Sequence, residues 1–409
     1  MDEQKINKKV TYGIVAILLI ILITIGATYA FFSAQAETGT QTVTTGTLTM
    51  DFDKTGSVVT IDGITPINDS EIKTKAAAFP FGITNTGNEH MNITIKLKDI
   101  TIADDLKDID FRWGLYNADT NVGLSFGVFK YSTTGGEEIL YRDSIIDAGS
   151  PKKNYILRIW IHDDGAEQNY MQGETFSGKI EVTGTAIEYT DEDCFTFNSG
   201  SITGYDSQTC GTNVVIPRDF GAIGMFSTNV TNIIIPNGVT YLQSNEISYN
   251  NLTHLTIPES MEGAGPDSLM HNNLKSIFIP ENFSPGSAML LGNDITTIVL
   301  HRDFGRLLSE SNIENIILME GVRYINAEGF LNNTDLKNIE LPSSVTTIDE
   351  TVFIAGEGAF GAFVGCTNLE TIVVRGKTEA PSTFGTDWNC TTFDNNGTCT
   401  KYANVEYRP

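Results

Sequence analysis

Basic residues are scarce in this chain. Lysine and arginine number 26 against 51 aspartates and glutamates, which gives a formal net charge of −25 over 409 residues. Nucleic-acid binding requires clustered positive side chains that neutralise phosphates, and the acidic excess here is spread along the sequence. Composition therefore argues against a nucleic-acid partner and indicates an acidic surface that keeps molecules apart.

Histidine is also rare, and the motifs of common catalytic sites are missing. None of the histidines stands in an H-E-x-x-H motif, which places two imidazoles and a general base on one face of a helix. No G-x-S-x-G, Walker loop or G-x-G-x-x-G occurs either. The sequence predicts no enzyme, no metal and no cofactor. The histidines are His90, His162, His254, His271 and His301.

Two short polar motifs invite a metal-binding interpretation. His162-Asp163-Asp164 follows a predicted strand and precedes Gly165, so we interpret it as a polar hairpin turn. The run from Asp394 to Gly397 resembles the start of a calcium loop, but it lacks alternating oxygen ligands and a closing glutamate. A tight turn is the simpler interpretation of that run as well.

Long hydrophobic runs are absent except at the N-terminus, where no charge occurs between Lys9 and Glu37. The basic residues before this run are expected to stay in the cytoplasm, so everything after it is exported. Its apolar core is short, as in a signal peptide, although the whole run is long enough to span a membrane. Cleavage before Glu37, cleavage after Thr28-Tyr29-Ala30 and retention as an anchor all remain open.

Cysteine is sparse, and its positions are informative. Cys194 and Cys210 bracket a short stretch, and so do Cys390 and Cys399, while Cys366 is left over. Both brackets lie at the ends of the repeat array described next, where an open core needs capping. We predict two disulfides in an exported protein and a buried thiol at Cys366. The alternative is that all five remain free.

The second half of the chain is dominated by a repeated strand phrase. It recurs at intervals of 18 to 33 residues and, from the second copy on, is preceded by Asn or Asp and an apolar residue, in the register N-L-x-x-I-x-I-P. Self-similarity at this period predicts a leucine-rich-repeat solenoid, in which stacked units build a common core. We expect the repeated Asn and Asp to bond turn backbone. The copies end at Pro217, Pro236, Pro258, Pro280, His301, Met319, Pro342 and Arg375.

The preceding region has a different pattern. Between residues 40 and 190, Thr, Val and Ile alternate with polar residues, and Gly and Asn punctuate the runs. Period-two alternation with frequent turns predicts an antiparallel, jelly-roll-like β-sandwich. The fold class is therefore mainly β. We divide the chain into a leader or membrane helix, a β-sandwich, a disulfide-capped hairpin, a solenoid and a C-terminal cap, at residues 1–36, 37–190, 191–212, 213–380 and 381–409.

Short motifs in the first domain stand at residues 26–32, 45–48, 169–174 and 178–183. On these motifs the domain resembles the camelysin/TasA family of exported biofilm-matrix proteins. The resemblance implies a jelly-roll domain that donates a strand to the next subunit in fibre-forming members. Camelysin is classed as a metallopeptidase, but no H-E-x-x-H motif supports that activity here. The second half resembles the BspA-type leucine-rich repeats of bacterial surface proteins.

The middle residue of each repeat strand is the best candidate for a binding surface. Because the flanking residues face the core, the middle one faces outward. Most of these positions are apolar, and a stacked apolar stripe marks a binding surface, unless β-branched residues merely suit strands. Replacing Phe278 with a charged residue is then expected to leave the fold intact. The stripe comprises Ile234, Thr256, Phe278, Val299, Ile317 and Val373, and the series also includes Val215 and Glu340.

These features predict an exported or cell-surface protein, held in the membrane by its N-terminal helix or released by cleavage. Its expected work is adhesion through the repeats to a protein or cell-surface ligand. The alternative is a structural role, in which the chain itself is the partner and assembles by strand donation into a matrix fibre.

Overall fold

The computed structural model describes residues 33–36, 43–45, 48–53, 58–217, 222–223, 228–245, 247–311, 313–354, 358–394 and 396–409. The predicted leader or membrane segment lies outside these ranges, apart from its last four residues. Within the described ranges, no helix is long and apolar enough to cross a membrane. The chain is mainly β.

Two antiparallel sheets make up the described residues between 33 and 187, here called the two-sheet domain. The first sheet runs β1-β11-β6-β9, and β4 pairs with the same edge of β11 as β1 does. Its strands are β1 (Ser33–Ala36), β4 (Val58–Asp62), β6 (His90–Ile102), β9 (Glu138–Ile146) and β11 (Thr175–Ile187). The second sheet runs β2 (Val43–Thr45), β3 (Leu48–Asp53), β5 (Ala77–Asn85), β10 (Lys153–Ile161), β7 (Phe111–Asn117) and β8 (Gly123–Val128).

The core of the two-sheet domain follows from period-two alternation. Along β6, Met91, Ile93, Ile95 and Leu97 are fully buried, and the residues between them are only partly covered. Side chains from both sheets join one buried cluster. Among the described residues of this domain, helix is limited to α1 (Ile72–Lys75) and to 3₁₀ turns at Asp69–Glu71 and Asp104–Leu106.

The repeat region begins with a stapled hairpin. A 3₁₀ turn (Glu192–Cys194) leads to the antiparallel pair β12 (Phe195–Asn198) and β13 (Ser201–Tyr205), followed by α2 (Ser207–Cys210). The repeats themselves then form two rows of short parallel strands. Most repeats contribute one strand to each row.

The first row carries the repeated strand phrase. Its parallel pairs are β14-β16, β18-β20 and the continuous order β21-β22-β24-β28-β31. The chain therefore ends in a strand that extends this row beyond the last repeat. The strands are β14 (Asn213–Val215), β16 (Asn232–Ile234), β18 (His254–Thr256), β20 (Ser276–Phe278), β21 (Thr297–Leu300), β22 (Asn315–Leu318), β24 (Asn338–Leu341), β28 (Thr371–Arg375) and β31 (Asn404–Arg408).

The second row uses shorter strands. Strand β13 continues in parallel into β15 (Ala222–Ile223), β17 (Tyr241–Leu242) and β19 (Gly263–Ala264), and β23 (Tyr324–Ile325) pairs with β25 (Thr347–Ile348). Single bridges at Ser284, Phe304 and Phe384 continue the row. Two antiparallel hairpins complete the region, β26 (Val352–Ile354) with β27 (Gly358–Phe360) and β29 (Cys390–Phe393) with β30 (Cys399–Tyr402).

A ladder of buried asparagines satisfies backbone groups between the repeats. Asn250 Oδ1 accepts from Val230 N at 3.1 Å, and Asn293 Oδ1 accepts from Leu274 N at 3.0 Å. Each of these asparagines stands immediately before the Asn or Asp singled out in the sequence, such as the exposed Asn251. The sequence therefore identified the correct chemistry, but in these repeats the residue that carries it stands one position earlier than predicted. The predicted Asn368 does bond backbone, since its Nδ2 donates to the carbonyl oxygen of Thr334 at 2.8 Å.

Candidate functional site

The outward stripe does point away from the core of the repeat region. In β22, Ile316 and Leu318 belong to the repeat core, whereas Ile317 between them does not. In β20, Ile277 packs on the repeat core, while Phe278 joins the cluster of the two-sheet domain. The alternation of the strand fixes these opposite directions.

The expectation that the stripe faces solvent is wrong for its middle part, because the two-sheet domain covers Thr256, Phe278, Val299 and Ile317. The exposed fractions of Ile234, Thr256, Phe278 and Ile317 are only 4%, 3%, 8% and 4%, and Val299 and Val373 are half-buried. The expectation that a charged residue at Phe278 leaves the fold intact is wrong for the same reason, since that charge would be buried.

Aromatic side chains of the two-sheet domain meet the middle of the stripe. The rings of Tyr141 and Phe278 have centroids 6.1 Å apart. Ile317 packs in a separate cluster with Tyr116 and Trp160, against which Val299 also lies. The apolar character of the stripe thus has a structural cause, because its middle forms the apolar centre of an interface within one chain.

Polar contacts surround the apolar centre at one end of the interface. Thr256 Oγ1 donates to the carbonyl oxygen of Arg142 at 2.7 Å. Asn117 Nδ2 donates to Glu259 Oε2 at 2.6 Å, and Lys73 Nζ forms an ion pair with Glu281 Oε1 at 2.6 Å. Side chains from well-separated parts of the sequence therefore fix the position of the two domains.

At the other end, His162 bridges the two domains. Its Nδ1 lies 3.0 Å from Asp69 Oδ1, and its Nε2 lies 2.7 Å from Glu340 Oε1 on β24. Burial and the Arg112 guanidinium lower the pKa of His162, but the two carboxylates outweigh them and raise it to about 9. Although burial opposes ionisation of Asp69, His162 and Arg112 hold the pKa of that carboxyl well below its usual range. The bridge is therefore ionic at neutral pH.

The residues after His162 continue the same contact. Arg375 Nη2 donates to the carbonyl oxygen of Asp163 at 2.8 Å. Arg408 Nη1 donates to Asp164, at 3.0 Å to its carbonyl oxygen and 2.8 Å to Oδ2. Gly165 N also bonds Asp163 Oδ1 at 2.9 Å, as in a turn. The His-Asp-Asp motif is thus a turn that docks on the repeat strands, a role its sequence did not reveal.

A cleft of about 350 Å³ remains beside this polar contact. The two-sheet domain forms one wall, and strands β22, β24, β28 and β31 form the floor and the opposite wall. Three members of the stripe series, Ile317, Val373 and Glu340, lie in it. The remaining lining residues are Ile109, Asp110, Arg112, Asp164, Ile316, Leu318, Asn338, Ile339, Thr371, Glu406 and Arg408.

The cysteines form two bridges near the ends of the repeat region. Cys194 bonds Cys210 and Cys390 bonds Cys399, with Cα atoms 6.0 and 6.1 Å apart. Cys366 is free and buried. The loop inside the second bridge turns at Asp394, whose Oδ1 accepts from Asn396 N and Thr398 N.

Comparison with known families gives two matches. Residues 205–310 and 306–357 match the BspA type leucine rich repeat region, in 6 copies. Residues 5–110 match camelysin metallo-endopeptidase, so this match ends within the two-sheet domain. No curated protein matches the chain. Both predicted resemblances are confirmed, and both families are typical of surface or exported proteins.

The metal implied by the name of the camelysin family finds no suitable ligands in the described part of the chain. No group of three or more His, Cys, Asp or Glu residues there could hold a metal ion. His90 Nδ1 lies 2.8 Å from Asp147 Oδ1, and His254 Nε2 lies 3.1 Å from Asp143 Oδ2. These imidazoles are engaged in separate pairs, and the residues that the structure describes do not fit a metal centre.

Proposed function

We propose that this chain is an exported surface protein whose leucine-rich repeats form a solenoid that binds a protein or cell-surface partner. The observation that carries the proposal is the succession of a camelysin-like segment and BspA-type repeats in one chain, with the repeats stacked in two parallel rows. Such rows present the same surface many times, which suits an extended partner.

The proposed export has its own test. Protease added to intact cells should digest the repeat region, because Lys5, Lys8 and Lys9 are expected to hold the N-terminus inside. Mass spectrometry of the exported protein should then identify its first residue, which separates a retained anchor from a released subunit. Digestion only after lysis would refute this topology.

The second row is the better candidate for external contact, because the stripe is occupied by the two-sheet domain. Tyr241 and Tyr324 take outward positions in this row, with exposed fractions of 43% and 38%. Exposed tyrosines combine a large apolar ring with a polar hydroxyl and are frequent anchors at interfaces. External use of the stripe would first require the two-sheet domain to separate.

Cell-binding measurements on designed variants distinguish these surfaces. Replacing both Tyr241 and Tyr324 with serine should weaken adhesion at least tenfold, the scale of hot-spot loss, with only a small decrease in melting temperature from the lost hydrogen bond between the Tyr324 hydroxyl and Asp349. Tyr170→Ser, at an exposed tyrosine of the two-sheet domain, is the matched control. Unchanged adhesion in the double variant would refute the assignment. Increased adhesion after Ile317→Asp, which opens the interface, would instead assign binding to the stripe.

Fibre assembly by strand donation is the second candidate function, and the position of β1 favours it. Residues 33–36 pair with residues 182–185 on an edge of β11. Cleavage before Glu37 would remove β1 and leave these backbone groups for a strand from another copy. Electron microscopy should then show filaments for a chain that begins at Glu37 but fewer for one that begins at Ser33. Equal assembly, or none by either chain, would contradict strand donation.

A further inference from the structure

We propose that the cleft beside β24, β28 and β31 binds a small organic cation, an ammonium or guanidinium group on an apolar stem. At about 350 Å³ it has the size of a small-molecule site, and it lies at a domain interface, where such sites are common. The cation site is inferred from the cleft alone. Only the suggestion that a protein partner supplies the cation rests on the proposed function.

The floor of the cleft suits an apolar stem. Ile317 and Val373 project from the first row into the space between the domains, and Ile109 lines the wall formed by the two-sheet domain. Val373 remains half-buried, whereas Ile317 is 4% exposed. The two-sheet domain therefore leaves part of the stripe uncovered at this place, next to charged side chains.

The charges around the floor favour a cation. Carboxylates outnumber guanidinium groups in the lining by four to two, and counting the groups paired with them (Asp69, Asp163, His162 and Arg375) still leaves an excess of two carboxylates. Glu406 is the most accessible of these carboxylates, because nearly half of its side chain is exposed. Coulombic attraction is stronger in a partly desolvated cleft than in bulk water. A positive head group therefore gains more binding free energy from these carboxylates in the cleft than it would in bulk water.

The two arginines of the lining are not available for an anion. Arg112 donates to Asp69 at 3.0 Å and to Asp110 at 3.2 Å, and its Nε donates to the carbonyl oxygen of Ile109 at 3.1 Å. Arg408 donates to Asp164 and, at 3.0 Å, to Glu406 Oε2. Each carboxylate oxygen accepts more than one hydrogen bond, so acceptor capacity remains while the donors are engaged.

Calorimetric titration of the intact chain with two matched probes tests the proposal. Nα-acetyl-lysine amide carries an ammonium group on an apolar stem, and Nα-acetyl-norleucine amide carries the stem alone. The lysine probe should bind at least tenfold more tightly than the norleucine probe. Glu406→Gln should weaken binding of the lysine probe about tenfold, the scale of one charged hydrogen bond, whereas Glu314→Gln, at an exposed residue outside the cleft, should not.

A variant that fills the cleft tests whether the probe binds inside it, independently of the charge of Glu406. Val373→Trp should abolish binding of the lysine probe while thermal melting shows that the protein remains folded. Equal affinity for the two probes, wild-type affinity in Glu406→Gln or Val373→Trp, or no binding of the lysine probe at millimolar concentration would overturn the proposal. These outcomes leave the adhesion measurements unaffected, so the two proposals fail independently.

A further pair of probes identifies the source of the cation. Tighter binding of a capped Gly-Lys-Gly peptide than of n-butylamine would indicate a side chain of a protein partner. Equal affinities would indicate a free amine. Either result supports the cation site.

Discussion

Neighbouring isoleucines on one strand provide the sharpest test of how the two domains pack. Ile316 belongs to the repeat core, and Ile317 belongs to the cluster shared with the two-sheet domain. Replacing each with alanine removes the same atoms from equally buried positions, since both side chains are 4% exposed. We expect the two variants to lose similar free energy in different transitions.

The magnitude follows from the atoms removed. Isoleucine to alanine deletes three carbons, worth about 2.4 kcal/mol at roughly 0.8 kcal/mol for each buried methylene. The cavity left behind adds to this loss, which brings the expected cost to about 2–4 kcal/mol. In Ile317→Ala this cost should appear in separation of the domains, because Tyr116 and Trp160 lose their partner. In Ile316→Ala it should appear in unfolding of the repeats.

Tryptophan fluorescence separates the two transitions. Trp160 lies in the cluster around Ile317, whereas Trp388 packs with Phe363 and Phe384 in the repeat core. Acrylamide should quench Trp160 more readily in Ile317→Ala at temperatures where Trp388 remains protected, and single Trp→Phe variants assign each signal. If Ile317→Ala instead exposes Trp388 as early as Ile316→Ala does, the assignment of Ile317 to the interface is wrong.

Three further measurements test the polar contacts and the cysteines. The pKa of His162 is about 9 in the folded protein, so its stabilising contribution is complete below its ordinary pKa of 6.5 and is lost as the pH rises through 9. The difference in free energy of unfolding between wild type and His162→Gln should therefore shrink by about 2–3 kcal/mol between pH 7 and pH 10. A difference that stays constant over this range would contradict the ionic bridge. Burial raises the pKa of Cys366 to about 12, so iodoacetamide should label it only after unfolding, and rapid labelling of native protein would disprove its burial. Replacing Cys390 and Cys399 with serines should lower the free energy of unfolding by about 2.5 kcal/mol or less in the chain-entropy model, as measured by denaturant unfolding. Loss of the whole repeat fold would show that the bridge does more than close a short loop.

The repeat strands were predictable because their pattern is local. Each copy carries its own alternation, so the inward direction of Ile316 and the outward direction of Ile317 follow from neighbouring residues. The occupant of the outward face was not predictable in this way. Lys73 and Glu281, which join the domains, are separated by 208 residues, and nothing in either local sequence indicates the other. His162 shows the same limit, since its motif predicts a turn but not the carboxylate that the turn meets.

The covered stripe also sets an energetic condition on partner binding. An exposed row of apolar strand residues favours unwanted association, and the two-sheet domain prevents this by burying Phe278 and Ile317. An external ligand that used the same residues would have to bind the separated form more tightly than the docked form, by at least the free energy of docking. A partner of the second row meets no such condition, because Tyr241 and Tyr324 are exposed while the domains remain docked. If Ile317→Asp raised adhesion, that docking energy would be the barrier that the variant had removed.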